Sequence, residues 1–142
     1  MMQKTLPCGE LLKRLHDIFE TNANKNLQEQ DVTFSQMKML ILLEHWPGGS
    51  ATLKELEKYF GSSQATIAGI ASRLEKKGLI EGYTDADDRR IKHVRLSPEG
   101  LALCRRTKVF MDRNEQWLLT PLSEAERQEF HRLLQKVYDA IK

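Results

Sequence analysis

The chain has 142 residues, 40% of them hydrophobic and 30% charged, with a formal net charge of only +2. That is enough chain for one ordinary globular domain, and bulk charge by itself does not announce a nucleic-acid partner. No apolar run approaches the roughly 20 residues that span a bilayer, the start Met1-Met2-Gln3-Lys4-Thr5-Leu6-Pro7 has no apolar stretch of signal-peptide length, and Cys8 and Cys104 stand too far apart for a zinc ribbon, so a cytoplasmic protein with free thiols and no membrane partner is expected.

The first helix is expected from about Gly9 to Leu27, because Leu11, Leu12, Leu15, Ile18, Phe19 and Ala23 recur at three- and four-residue steps. A second opens at Thr33, with Gln36 placed to close a capping box, carries Met37, Leu40, Ile41 and Glu44 at helical spacing, and stops at Pro47-Gly48. Thr52 and Glu55 form another capping box before a short helix with Leu53, Leu56, Tyr59 and Phe60, ended by Gly61. Ser62 or Ser63 caps a fourth helix with Ile67, Ile70, Ala71 and Leu74, ended by Gly78. Two short helices joined by a tight Gly-containing turn make a helix-turn-helix.

The period then changes. Residues Leu79 to Thr84 read as a strand, and Lys92-His93-Val94-Arg95-Leu96 alternates with Val94 and Leu96 on one face. Asp85-Ala86-Asp87-Asp88-Arg89-Arg90 is the polar tip between them, a wing behind the helix-turn-helix. Ser97 caps a long helix with Pro98 at its first position, reaching about Trp117. Ser123 and Glu126 open the last helix, where Phe130, Leu133, Leu134, Val137, Tyr138 and Ile141 form one apolar stripe. The fold class is mainly α with a small β-hairpin wing, in the order α-α-α-α-β-β-α-α. Residues 1–32 are assigned to an N-terminal dimerisation helix, 33–97 to a winged helix-turn-helix, and 98–142 to C-terminal dimerisation helices.

Three segments in sequence carry a resemblance: Arg73-Leu74-Glu75-Lys76-Lys77-Gly78-Leu79-Ile80, the wing Asp85-Ala86-Asp87-Asp88-Arg89-Arg90, and Val94-Arg95-Leu96-Ser97-Pro98-Glu99-Gly100. Over nearly its whole length the chain resembles the MarR family of winged helix-turn-helix regulators. The resemblance implies a symmetric homodimer whose first and last two helices form a shared platform, with Leu11, Phe130, Leu134, Val137, Tyr138 and Ile141 at the interface. Independently, Phe110, Trp117, Phe130 and Tyr138 are more apolar surface than a chain of this size readily hides, although packing within one chain is the plain alternative.

With Ile67, Ile70, Ala71 and Leu74 turned inward, 100° per residue sends Ala65, Gly69, Ser72 and Lys76 outward, flanked by Thr66 and Arg73. That face would enter the major groove of double-stranded DNA. Ser62, Ser63, Gln64 and Thr66 would meet phosphates or base edges, Gln64 can pair with adenine, and Arg73 with guanine or phosphate. Many family members carry a long polar side chain where this chain has Gly69, which shifts recognition toward DNA shape. Arg89 is the expected minor-groove residue, Asp88 and Arg90 hold the wing in shape, and Lys92 and Arg95 are phosphate contacts or solvated strand ends. An acid at Asp87, where relatives often carry a base, implies a modest salt dependence.

By resemblance, a small aromatic or anionic ligand would release the DNA from a pocket including Leu15, His16, Phe19, Trp46 and Phe110, with His16 or His45 as the polar handle. Cys8, near the start of the first helix, carries an alternative reading as a peroxide sensor. A second alternative uses the winged helix for protein–protein contact alone, favoured by the sparsely furnished face at Ala65 and Gly69. The sequence has no Gly-rich phosphate loop, nucleophile elbow or His-Glu-x-x-His, so no enzyme activity or cofactor is expected.

Overall fold

The computed structural model describes residues 5–142. Helix α1 (Cys8–Leu27) is followed by a short 3₁₀ turn and α2 (Phe34–His45), then strand β1 (Ser50–Thr52), α3 (Leu53–Phe60), α4 (Gln64–Lys76), β2 (Ile80–Thr84), β3 (Lys92–Leu96), α5 (Pro98–Leu118) and α6 (Glu124–Ile141). The mainly α architecture with a small β wing is present as expected. Boundaries move by about one residue: α1 starts at Cys8 and β2 at Ile80.

One element is additional. Residues Ser50–Thr52 pair antiparallel with β3, Ala51 opposite Val94, so the sheet has three strands in the order β1-β3-β2. Three residues are too short to show a period of two, and Thr52 also serves as the cap of α3, so the helix signal hides the strand.

The caps follow local chemistry. Thr33, Thr52 and Ser123 each accept from the amide three residues on, while Gln36, Glu55 and Glu126 reach back to the capping residue's own amide. Ser63, rather than Ser62, caps α4, its hydroxyl accepting from Thr66 N at 3.2 Å. Gly61 and Gly78 end α3 and α4 with φ of 62° and 73°, a left-handed turn that a Cβ would strain.

Leu27, Met37, Leu40, Leu43, Leu56, Ile67, Leu74, Ile80 and Val94 are fully buried and join α1, α2, the helix-turn-helix and the wing into one core. Truncating any of the leucines to alanine would cost about 2–5 kcal/mol. Helix α5 packs against α1, α2 and β3 and so ties the first helix to the winged unit. At the α1–α5 contact a buried polar link replaces apolar packing: Asn22 Nδ2 donates to Asn114 Oδ1 at 2.5 Å, and Asn114 Nδ2 donates to the Phe19 carbonyl at 3.2 Å. The buried Asn114 amide is thereby bonded at both its oxygen and its nitrogen, and both bonds run to α1.

Helix α6 is different. None of its residues is buried, and its stripe lies open, with Val137 54%, Tyr138 58% and Ile141 78% exposed. Leu11, Leu12, Leu15 and Ile18 of α1 and Trp117 of α5 are exposed too. Among the described residues no helix is long and apolar enough to cross a membrane.

Candidate nucleic-acid interface

The first turn of α4 stands in solvent. Ser63, Gln64, Ala65 and Thr66 are exposed, Ser62 is half-buried, and Ile67, Ala71 and Leu74 behind them are buried. The Ser63 hydroxyl both accepts from the Thr66 amide and donates to the Thr66 hydroxyl at 3.0 Å, so these two side chains brace the turn while Gln64 is left to reach outward. Helix α4 begins with amides that lack helical partners and with the positive end of its dipole, the arrangement that attracts phosphate.

Arg73 lies back along its own helix. Its guanidinium covers the bare backbone of Gly69, where an added Cβ would meet Nη1 at 3.4 Å. The absence of a side chain at Gly69 therefore gives Arg73 a resting place on the outward face. A shallow groove runs beside it, lined by Ala65, Thr66, Gly69, Ile70 and Arg73 of α4 and by Thr33, Ser35 and Gln36 at the start of α2. In sequence Thr33 and Gln36 carry only the signal of a capping box, which they also form. Their proximity to α4 is a tertiary fact, as is the Lys77 ammonium that donates to the Asp31 carbonyl and, at 3.3 Å, to Gln36 Oε1.

In the wing, Asp88 and Arg90 pair with each other. Asp88 Oδ1 accepts from the Arg90 backbone amide at 3.0 Å and from Nε at 3.1 Å, and Oδ2 accepts from Nη2 at 3.1 Å. These bonds from the Arg90 side chain and backbone hold the Asp88 carboxyl below its ordinary pKa. With Ile91 N donating to Asp88 O and Asp85 N to Ile91 O, they close the tip into a fixed loop. Among the described residues no carboxylate lies within ion-pair distance of Arg89, which stands exposed at that tip.

Lys92 and Arg95 are already engaged. Lys92 Nζ is 2.9 Å from Glu75 Oε1 on α4, and Arg95 is 3.3 Å from Glu81 Oε2 while its guanidinium rests 4.9 Å from the Tyr83 ring centre. Tyr83 in turn stacks on His93 at 5.1 Å and shares a 2.6 Å hydrogen bond with Ser50, so strand β1 is tied to the outer face of the wing. His93 Nε2 lies 3.3 Å from Asp85.

The residues expected to line a ligand pocket are spread over α1, the end of α2 and α5. Phe19 packs edge-on against Phe34, which opens α2, at 5.5 Å. Trp46 packs edge-on against Tyr59 at 6.2 Å and sits past the other end of α2, about 18 Å away at 1.5 Å per residue. Leu15 is exposed, His16 pairs with Glu20 at 3.4 Å, and Phe110 is half-buried on α5. His45 is exposed and bonded to the Ile41 carbonyl. Cys8 is exposed at the first residue of α1, whereas Cys104 is buried in the core.

Comparison with known proteins agrees with this architecture. The model of the MarR family matches residues 32–92, from just before α2 to the first residue of β3. Transcriptional repressor MprA of Escherichia coli (strain K12) is 30% identical over 120 residues, 84% of this chain and 68% of MprA. The MepR–DNA complex of S. aureus has a TM-score of 0.83 at 27% identity, covering 96% of this chain and 100% of MepR. BpsR of Bordetella bronchiseptica has a TM-score of 0.83 at 28% identity, covering 92% of this chain and 97% of BpsR. A helix-turn-helix with an open first turn, a braced wing, a fold shared with MepR and BpsR and the identity to MprA lead to one assignment: this chain belongs to the MarR family of transcriptional regulators.

Proposed function

We propose that the protein is a homodimeric, sequence-specific DNA-binding repressor of the cytoplasm. In this reading residues 33–97 contact DNA, while 1–32 and 98–142 build the dimer. The observation that carries it is the exposed polar first turn of α4, with buried residues behind it and a fixed wing carrying an exposed Arg89. Helix α4 would enter the major groove through Ser62, Ser63, Gln64, Ala65 and Thr66, with Arg73 above Gly69 reaching a phosphate or guanine. Thr33 and Ser35 would touch the adjacent backbone. Arg89 would enter the minor groove. The relatives support this reading, since MprA is named a repressor and MepR is held on DNA.

The dimer follows from α6. A solitary 18-residue helix with no buried residue and a continuous apolar stripe is marginal in water, so the stripe needs a cover. A second copy presenting the same stripe, together with Leu11, supplies one by two-fold symmetry. The operator would then be an inverted repeat with half-sites about one helical turn apart. Release by a small aromatic or anionic molecule belongs to the same reading, supported by BpsR, whose DNA binding is regulated by 6-hydroxynicotinic acid.

Fluorescence anisotropy tests this with DNA from the gene's own upstream region against random duplex of equal length at two salt concentrations. A preference of about a thousandfold at two chains per site is expected. Absence of binding to either duplex at low salt would overturn the reading in favour of a protein-contact module.

A further inference from the structure

Lys92 belongs to the inner face of the wing. Along β3 its side chain alternates with His93 and shares a face with the buried Val94, so it turns toward α4 rather than outward. There Nζ meets Glu75 Oε1 at 2.9 Å. Glu75 stands one residue before the end of α4, where the helix dipole disfavours a negative charge, so the carboxylate gains nothing from its own helix and gains from the ammonium.

The path between them crosses Gly82 of β2, opposite Val94 on that same inner face. A Cβ at position 82 would stand 2.6 Å from Lys92 Cε and 2.7 Å from Glu75 Oε2. Gly82 does not have a positive φ, so the backbone does not demand glycine there; the ion pair does. Both close atoms are ends of flexible side chains, so a larger residue would leave the strand intact and push Lys92 and Glu75 out of their present positions.

We infer that Glu75, Gly82 and Lys92 form a clamp that holds the wing to the recognition helix, with Lys92 acting as a positioning residue rather than a phosphate contact. The clamp fixes where the wing tip stands relative to α4, and it withdraws one cation per chain from the DNA-facing charge. Its consequence for DNA rests on the DNA-binding reading above; the clamp itself does not.

Two variants open the clamp in different ways. Glu75→Gln removes the carboxylate, and Gly82→Ala keeps both charges but fills the gap. Hydrogen exchange of backbone amides at 85–91 in the free protein is expected to quicken several-fold in both, with core amides of α2 and α5 unchanged. The charge-reversed double variant Glu75→Lys with Lys92→Glu should restore slow exchange. On random duplex, each opened clamp frees Lys92 and steepens the log–log salt dependence by about 0.9 per chain, a change that simple loosening of the fold would not produce. Preference for the upstream DNA over random duplex should fall at the same time. Wild-type exchange in the wing of both variants would overturn the clamp. If the wild-type protein binds neither duplex, the DNA reading fails, while the exchange measurement still decides the clamp.

Discussion

The hydroxyl of Ser97 donates to the carbonyl of Gly78 at 2.6 Å across nineteen residues of sequence. The same oxygen accepts from Gly100 N at 3.0 Å as the cap of α5, and Ser97 N donates to Leu79 O at 3.1 Å. The end of α4 and the start of α5 are therefore one joint. Gly100 completes it, because a Cβ there would lie 2.1 Å from the Leu79 carbonyl oxygen, and backbone cannot step aside as a side chain does.

That joint predicts a stability loss with a specific rank. Ser97→Ala removes both a cap and a buried bond and should cost about 1–3 kcal/mol in urea denaturation. Gly100→Ala should cost more, since relieving its clash moves the joint itself. Equal tolerance of both substitutions would show that the joint carries no load.

Burial among apolar neighbours, with the negative charge of Glu44 adding to it, pushes the Cys104 thiol up from 9.0 to about 11. The fold favours the neutral thiol, so the stabilisation is complete below about pH 9 and is lost as pH rises from there to about 11. Wild-type protein should therefore lose up to about 2 kcal/mol more than Cys104→Ala over that window in parallel denaturant titrations. At neutral pH a thiol reagent should label one exposed cysteine, Cys8, promptly and Cys104 only on unfolding.

The open stripe of α6 is where the proposed dimer can be tested. Val137→Glu or Leu134→Arg places a charge in the apolar face and should convert a dimer to monomers in sedimentation equilibrium, with α6 losing helicity by circular dichroism. A dimer of unchanged stability in both variants would put the interface elsewhere.

At the wing tip, Arg89→Ala should weaken binding to upstream DNA several-fold and flatten the salt dependence by about 0.9 per chain, with the denaturation midpoint unmoved. Arg90→Ala should act differently: it removes the partner of Asp88, loosens the tip and weakens binding with a smaller change in salt dependence. Identical salt dependence in wild type and Arg89→Ala would remove Arg89 from the interface.

Much of this protein is written in local chemistry. Capping boxes at Thr33, Thr52 and Ser123, terminal glycines at Gly61 and Gly78, and the switch from helical to strand period after Gly78 are short-range signals, and the elements form where those signals stand. The outward face of α4 follows from 100° per residue once Ile67 and Leu74 turn inward. What the tertiary structure decided is which charges find each other and which side chains meet across the chain. Lys92 and Arg95 read as free cations until β3 sets them beside Glu75 and Glu81. Phe19 meets Phe34 at the start of α2, and Trp46 meets Tyr59 past its end, contacts that no local pattern announces. β1 exists only because β3 offers it an edge. Caps and periods act within a few residues and are legible in order; ion pairs, grooves and strand partners depend on distances that only the packed chain sets.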